Sequence, residues 1–301
     1  MDASTIRAQS RHLVRELGML DHQCGDLDLT PVQAHALIEL EQGPLTVNQM
    51  AERLKVDKSN ASRTNASLLN AGYVETKADP EDRRKQLSSL TASGQQTLNQ
   101  LNQGLNQHVS HFLEQLDSDE VAQLENSLRR YTKAISASRQ QNDFTLRLLT
   151  PQDNAAMAAV VRRVSAEHGL TPDKGYGVSD PTLDCLSDVY GASNTAFWVV
   201  EKDHRILGGG GIAALEGEQG VCELQKMYFL PELRGKGFAR RIAATALKFA
   251  RQQGYSACYL ETTADLNAAI ALYESLGFDH IPHAMGNTGH DACEVRMLKA
   301  L

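Results

Sequence analysis

The sequence predicts two domains, a mainly helical one followed by an α/β one, and three observations carry that expectation. Its 301 residues exceed the about 100–200 residues usual for one domain. Residues 1 to about 140 read as one helical pattern after another, whereas strand-like runs such as FTLRLL (144–149), AFWVVEK (196–202) and VCELQKMYFL (221–230) appear only later. Between the two regimes, SASRQQND (136–143) is polar and lacks apolar periodicity, which makes it the best candidate linker. The expected domains are therefore 1–141 and 142–301.

With 42% hydrophobic and 22% charged residues and no apolar run near the ~18 residues of a membrane span, the composition is that of a soluble globular protein. The N-terminus, MDASTIRAQSRHLVREL, has no continuous apolar stretch after its charges and does not resemble a signal peptide. A cytoplasmic protein without membrane association is expected. Cys24, Cys185, Cys222, Cys258 and Cys293 are scattered, odd in number and without a CxxC pair, so neither a disulfide framework nor a zinc site is expected, and no other metal. The net charge of -7 argues against nucleic acid, but binding responds to local fields. Over residues 53–85 eight cations face five acids, a local net of +3.

Three short helical patterns, PVQAHALIELEQG (31–43), TVNQMAERLKV (46–56) and KSNASRTNASLLNAG (58–72), follow one another in the N-terminal part, each ended by glycine or a polar break. Together they read as a helix-turn-helix. In the third, Leu68 and Leu69 mark the buried side, leaving Lys58, Ser59, Asn60, Ser62, Arg63 and Asn65 as groups suited to base edges and phosphates. The stretch YVETKADPEDRRKQLSSLT (73–91) then reads as a hairpin whose tip carries Arg83, Arg84 and Lys85, within reach of a neighbouring groove. Further on, Leu98, Leu101 and Leu105 recur at helical spacing among Gln and Asn.

This part resembles the MarR family of winged-helix transcriptional regulators. DPEDRRKQLSSLTASG (79–94) matches the family's wing signature, with Asp82 and Arg84 at the wing and Leu90, Thr91 and Gly94 leading into the next helix. The resemblance covers 1 to about 140 and implies a winged helix-turn-helix that binds a double-stranded DNA operator as a homodimer joined through its first and last helices. The residues agree. Ile6, Leu13, Leu17 and Leu20 in the first helix, and Val121, Leu124, Leu128 and Tyr131 in the last, form apolar faces that need a partner, and Asp117 with Glu120 makes a capping-box-like start to the last helix. The recognition segment holds only Lys58 and Arg63 as cations. Salt-sensitive affinity that leans on the wing and on dimer symmetry is expected.

In the C-terminal part, VCELQKMYFL alternates, which puts Val221, Glu223, Gln225, Met227 and Phe229 on one face and Cys222, Leu224, Lys226, Tyr228 and Leu230 on the other. After PELRGKG, Ala239, Ile242, Ala243, Ala246, Leu247 and Ala250 recur at three and four, so a helix begins at the glycines. A strand, a glycine turn and a helix N-terminus make a phosphate-binding arrangement. The turn fits neither G-x-x-x-x-G-K-[ST] nor a full G-x-G-x-x-G.

RGKGFA does match [Q/R]-x-x-G-x-[G/A] when read from Leu233–Arg234 onward, and here the chain resembles the GNAT superfamily of acetyltransferases. NAAIALYESLGF (267–278), after the strand-like YSACYLETT (255–263), follows that family's N-x-x-A-x-x-x-Y-x-x-x-G-F pattern. The resemblance spans about 143–301 and implies an α/β fold with a mixed, mostly antiparallel sheet and acetyl-CoA as cosubstrate. It implies that amides of Arg234, Gly235, Lys236, Gly237, Phe238 and Ala239 cradle the pyrophosphate. Main-chain groups of Met227 and Phe229 would hold the pantetheine and acetyl carbonyl where two strands splay apart, and Asn267 would contact the coenzyme's arm. Tyr273 would be the acid beside the thioester sulfur, and Glu223, on the face of Met227, the base. A core aromatic for Tyr273, and a surface or substrate-ammonium-binding carboxylate for Glu223, are the alternatives. His283 and His290 stand in a loop near the expected pocket.

The expected function joins a MarR-like regulator to an N-acetyltransferase acting on a small primary amine such as an amino acid. The alternative is a regulator whose GNAT-like half senses acetyl-CoA or a ligand without turnover.

Overall fold

The computed structural model describes residues 2–21, 27–170, 177–288 and 293–301. Cys24 and His290 lie outside them. The chain divides into two compact units, Met1–Asn126 and Ser127–Leu301.

The first unit holds α1 (Ala3–Glu16), α2 (Pro31–Glu41), α3 (Val47–Leu54), α4 (Lys58–Asn70), β1 (Val74–Ala78), β2 (Gln86–Leu90), α5 (Ala92–Leu113) and the start of α6 (Ser118–Gln140). Local chemistry sets these boundaries. Thr30 with Gln33 and Thr46 with Gln49 form reciprocal capping boxes at α2 and α3. Lys55 ends α3 with φ 58, and Asp57 starts α4 by accepting from the Asn60 amide at 2.8 Å. Asp117 and Glu120 cap α6 reciprocally, at 2.9 and 3.0 Å. Leu37, Met50, Leu68, Leu98 and Leu101 meet in one core. The hairpin β1–β2 gains a third edge where Leu45 bridges Ser88.

The exit from the hairpin is a lock. The Thr91 hydroxyl accepts from the Gly94 amide at 3.0 Å and donates to the Gly72 carbonyl at 2.7 Å. A β-carbon on Gly94 would stand 1.9 Å from the Tyr73 carbonyl oxygen, so only glycine lets α5 start this close to the hairpin.

The second unit contains the rest of α6, then β3 (Thr145–Leu148), α7 (Asn154–Glu167), the short α8 (Leu186–Val189), β4 (Ala196–Lys202), β5 (Arg205–Ala214), β6 (Val221–Phe229), α9 (Phe238–Gln252), β7 (Ala257–Thr262), α10 (Asn267–Ser275), β8 (Asp279–His280) and β9 (Val295–Ala300). One seven-stranded sheet runs β3-β4-β5-β6-β7-β9-β8, antiparallel throughout except for β6 beside β7. The polar stretch expected as a linker is helical through Gln140.

Four consecutive glycines, Gly208 to Gly211, fix the layering of this sheet. Alternate residues of a strand point to opposite faces. A β-carbon on Gly209 would meet Met157 of α7 and Phe197, whereas one on Gly210 would meet Met227 and Ile242 of α9. Helix α7 therefore covers one face and α9 the other, each packed against bare backbone.

Replacing Gly94 by alanine is expected to destabilise the first unit by about 2–3 kcal/mol through overpacking. In the same helix Gly104 has open space around its missing β-carbon, and Gly104→Ala should stabilise by up to about 1 kcal/mol. Denaturant unfolding followed by far-UV circular dichroism checks the opposite signs.

Candidate functional site

The glycine turn follows β6 directly. A single 3-10 turn, Pro231–Leu233, leads into Gly235 (φ 75) and Gly237 (φ 80), and α9 starts at Phe238 without a side-chain cap. The Arg241 amide, bonded to the Gly237 carbonyl at 3.0 Å, is the first to find a carbonyl four residues back. The amides of Phe238, Ala239 and Arg240 thus belong to the open end of the helix, where donors and dipole favour an anion. Space beside Gly235 is empty to 4 Å. These are the features a pyrophosphate requires. Arg234 is engaged elsewhere: its guanidinium bonds the Phe229 carbonyl at 3.1 Å and pairs with Glu167, and its amide bonds the Pro231 carbonyl at 3.1 Å.

One residue of this turn was not legible in sequence. Gln141, buried at the end of α6, donates to the Lys236 carbonyl at 2.8 Å and accepts from Arg241 at 2.9 Å. It splints the outer side of the turn, yet it stands in the polar stretch expected to be a linker.

Toward this same end β6 loses a neighbour. Its pairing with β7 runs through Val221↔Ala257, Cys222↔Cys258 and Glu223↔Tyr259 and stops there. Against β5, Gln225 pairs with Gly211 and Tyr228 with Gly209, so β6 carries one residue too many between them. The excess is taken up at Lys226, with φ 53, a β-bulge. Neither ladder assigns a partner to Lys226 or Met227, which leaves their main chain beside the gap between β6 and β7. The Lys226 ammonium is tied to Asp180 at 2.7 Å.

The bulge corrects the strict alternation read from sequence. Gln225 and Tyr228 share a face because Gly209 and Gly211 do, and Glu223 lies with them on the α7 side. Met227 sits over Gly210 on the α9 side. Glu223 and Met227 are on opposite faces, not the same one.

Glu223 is 3% exposed and accepts from the Gln225 amide at 2.6 Å, while Tyr190 donates to the same amide's oxygen at 2.7 Å. Burial, reinforced by the negative charge of Glu261, pushes its carboxyl up to about 7. Tyr273 is held by the end of α10. Gly277 takes φ 82, its amide bonds the Glu274 carbonyl at 2.9 Å, and the Phe278 amide bonds the Tyr273 carbonyl at 3.1 Å. This is a Schellman motif, and the usual hydrophobic contact is present as Tyr273 against Phe278, with ring centroids 6.0 Å apart. Burial raises the Tyr273 phenol well above its ordinary range, and its titratable neighbours are Tyr228 of β6 and Cys258 of β7. The ring is 7% exposed and belongs to the core of the second unit, together with Cys258, Leu260 and Phe278. Asn267 is exposed at the first turn of α10, and His283 is exposed.

Of the groups expected to face DNA, Lys58, Ser59, Ser62 and Arg63 are exposed on α4, and Asn60 is half-buried. Asn65 is a correction. It is 6% exposed, one helical turn after Ala61 on the stripe with Thr64 and Leu68 that faces the core. Arg83, Arg84 and Lys85 are exposed at the hairpin tip, where Asp82 pairs with Arg84 at 3.1 Å and with Lys85 at 3.7 Å. Ile6, Leu13, Leu17 and Leu20 of the first helical segment, and Leu128 and Tyr131 of α6, are exposed apolar groups. Among the described residues Cys185, Cys222, Cys258 and Cys293 are free thiols, no cluster of three or more potential metal ligands occurs, and no helix is long and apolar enough to cross a membrane.

A splayed strand pair, an open helix N-terminus at the end of one of those strands and a buried tyrosine in the same core are the features of an acyltransferase of the acetyl-CoA-using kind. Residues 164–278 match the acetyltransferase (GNAT) family, and residues 27–85 match the MarR family. The chain is 60% identical over 157 residues to YjgM of Escherichia coli K12, named an uncharacterized N-acetyltransferase, covering 52% of this chain and 94% of that protein. The chain belongs to the GNAT acetyltransferase family and carries a MarR-family segment ahead of that domain. It is also 40% identical over 89 residues to the N-acetylaspartate synthetase of Xenopus tropicalis, spanning 29% of this chain and only 32% of that protein. A GNAT-family acetyltransferase from Staphylococcus aureus Mu50 aligns with a TM-score of 0.47 and 16% identity, over 52% of this chain and 98% of its own.

The raised Glu223 carboxyl has a consequence for stability. Native Glu223 keeps its proton to about pH 7, whereas an unfolded glutamate releases it near 4.5. Between those values the native state binds more protons, so this residue's contribution to stability falls as pH rises from 4.5 through 7. The loss should reach roughly 2–3 kcal/mol, and Glu223→Gln should flatten it in urea unfolding at pH 5 and pH 8.

Proposed function

We propose that the protein is a cytoplasmic, dimeric MarR-like regulator over residues 1–141 fused to an active N-acetyltransferase over residues 142–301, with a small amino compound as acetyl acceptor. The observation that carries the enzymatic half is the parting of β6 from β7 at Glu223, with Tyr273 buried in the same core and the open glycine turn where the unpaired stretch of β6 ends.

Acetyl-CoA supplies the activated thioester. The amides of Gly235 to Ala239 hold its pyrophosphate and the main chain of Met227 and Phe229 its pantetheine arm, with Asn267 beside it. Glu223 takes a proton from the acceptor ammonium, directly or through a water. The free amine attacks the thioester carbonyl, an N–C bond forms and the C–S bond breaks. Tyr273, kept protonated by its buried surroundings, gives its proton to the departing sulfur, and the proton that the nitrogen sheds as the amide forms restores the phenol, so that the net products are amide, coenzyme A thiol and the proton on Glu223. An amino acid is favoured as acceptor by the kinship with an N-acetylaspartate synthetase. A non-catalytic sensor is disfavoured by the presence of both a carboxylate poised near 7 and a buried phenol.

Coenzyme A release from acetyl-CoA, measured across amines, amino acids and lysine peptides, tests this reading. Tyr273→Phe is expected to lower kcat by on the order of 100-fold with acetyl-CoA affinity kept. In the wild type kcat/KM should rise with pH up to about 7, where Glu223 loses its proton, and then level off; Glu223→Gln should remove that limb. Unchanged turnover in Tyr273→Phe would overturn the assignment.

For the DNA-binding half, the exposed wing tip supports phosphate contacts from Arg83, Arg84 and Lys85, with Lys58, Ser59, Asn60, Ser62 and Arg63 at the groove. Removing Arg83 and Arg84 together should weaken duplex binding and reduce the slope of log K against log salt by up to about 1.8, or ~0.9 for each phosphate no longer neutralised. Fluorescence anisotropy between 50 and 200 mM salt, on the order of the range where such slopes are read, measures it.

A further inference from the structure

The α7 side of the sheet continues past Glu223 into a row of buried polar groups that the proposed chemistry leaves unused. Glu223 pairs with Tyr259 across the parallel ladder, Tyr259 and Glu261 lie two apart on β7, and Glu261 pairs with Arg296 on β9. Paired residues and residues two apart share a face, so Glu223, Tyr259, Glu261 and Arg296 all look to the same side. Cys293 lies among Glu261, Glu294, Arg296 and Glu223, each of which acts on its thiol.

The members of this row differ in how well they are satisfied. Glu261, with its side chain 2% exposed, accepts from the hydroxyls of Tyr259 and Thr288. Arg296, with its side chain 28% exposed, reaches Glu261 only at 3.9 Å, beyond hydrogen-bond range. Its Nε is buried and makes no hydrogen bond among the described residues. A guanidinium presents five donors in a planar fork, and leaving a buried one unmade is costly unless a ligand completes it. With strands about 4.8 Å apart and residues rising about 3.3 Å each, the backbone positions of Glu223 and Arg296 stand roughly 12 Å apart.

We propose that Arg296 is a specificity-determining residue of the acceptor site, binding the carboxylate of an amino-acid acceptor whose amine is presented to Glu223. The inference rests on the acetyltransferase reading above and narrows its substrate to a zwitterion. Charge supports the choice. Lys226 is engaged by Asp180 at 2.7 Å, whereas the Arg296 fork stands 3.9 Å from Glu261 and its Nε keeps a donor for a second anion. A zwitterion matches a carboxylate at one end and a cation at the other, whereas a polyamine would bring its second ammonium up to Arg296. A planar, bidentate anion is also what a guanidinium fork fits best.

The test compares each common amino acid with its carboxamide, which keeps shape and amine but loses the anion, in wild type, Arg296→Met and Arg296→Lys. The wild type is expected to prefer acids over amides by on the order of 100-fold in kcat/KM. That preference should collapse in Arg296→Met and survive in part in Arg296→Lys, which keeps the charge but not the fork. Should Arg296→Met fail to fold, the lysine variant carries the comparison by itself. Amides turned over as well as acids by the wild type, or a preference untouched by either variant, would overturn the proposal while leaving the transferase standing. If nothing turns over, calorimetric binding of the same acids and amides in the presence of coenzyme A separates the two readings. An Arg296-dependent preference for acids then upholds the site and sinks the transferase; no preference, or no binding, sinks both.

Discussion

The second unit depends on β6 being shared between two ladders for only part of its length. Beside β5 it is paired on both sides of the bulge at Lys226; beside β7 it is paired only as far as Glu223. The ladder to β5 keeps the strand in the sheet, while the side left without a neighbour exposes main-chain groups that must be met by something other than the sheet. The bulge turns the unpaired stretch, the glycine run of β5 lets Met227 and Phe229 lie against the backbone, and the far end of the same strand feeds the glycine turn. One local departure from regular pairing therefore positions three parts of the candidate site.

Burial acts on the two candidate acid–base groups in the same direction with opposite chemical results. Withdrawing a carboxylate from water raises its affinity for a proton until it titrates in the neutral range, where a base exchanges protons readily. Withdrawing a phenol raises it further from the neutral range and keeps the proton in place. Glu223 and Tyr273 follow these two courses. The separation comes from residue type rather than from different surroundings, which is why a largely apolar sheet interior serves both.

Much of this was readable from sequence where a motif has a local physical cause. Gly94 follows from a backbone approach that excludes a methyl group, the LGF ending of α10 from a Schellman cap, and the glycine turn from positive φ at Gly235 and Gly237. Position-counting failed where the cause is not local. The bulge falls on a lysine, with neither glycine nor proline to announce it, and one extra residue reverses every later assignment of face. Asn65 is polar, but its helical phase with Ala61 and Leu68 takes it inside. Gln141 and Arg296 acquire their roles from partners about 100 and 35 residues away in sequence, at Arg241 and Glu261, and no pattern in their own neighbourhoods signals them. The run Gly208 to Gly211 is different. Four glycines inside a strand mark close approach by other groups, and that signal was present in the sequence.

The same distinction separates what the two units share with other proteins from what belongs to this chain. Turns and caps are satisfied within a few residues, so a short motif carries them. The polar row on the α7 side draws its members from β6, β7 and β9 and from the loop that holds Thr288. Each member can change with little effect on the backbone, because the ladder beneath it is held by main-chain bonds that do not depend on side chains. On the reading proposed above, the coenzyme turn and the groups facing the acceptor are thus held by different interactions, and it is in those groups, rather than in the fold, that the choice of substrate has to be read.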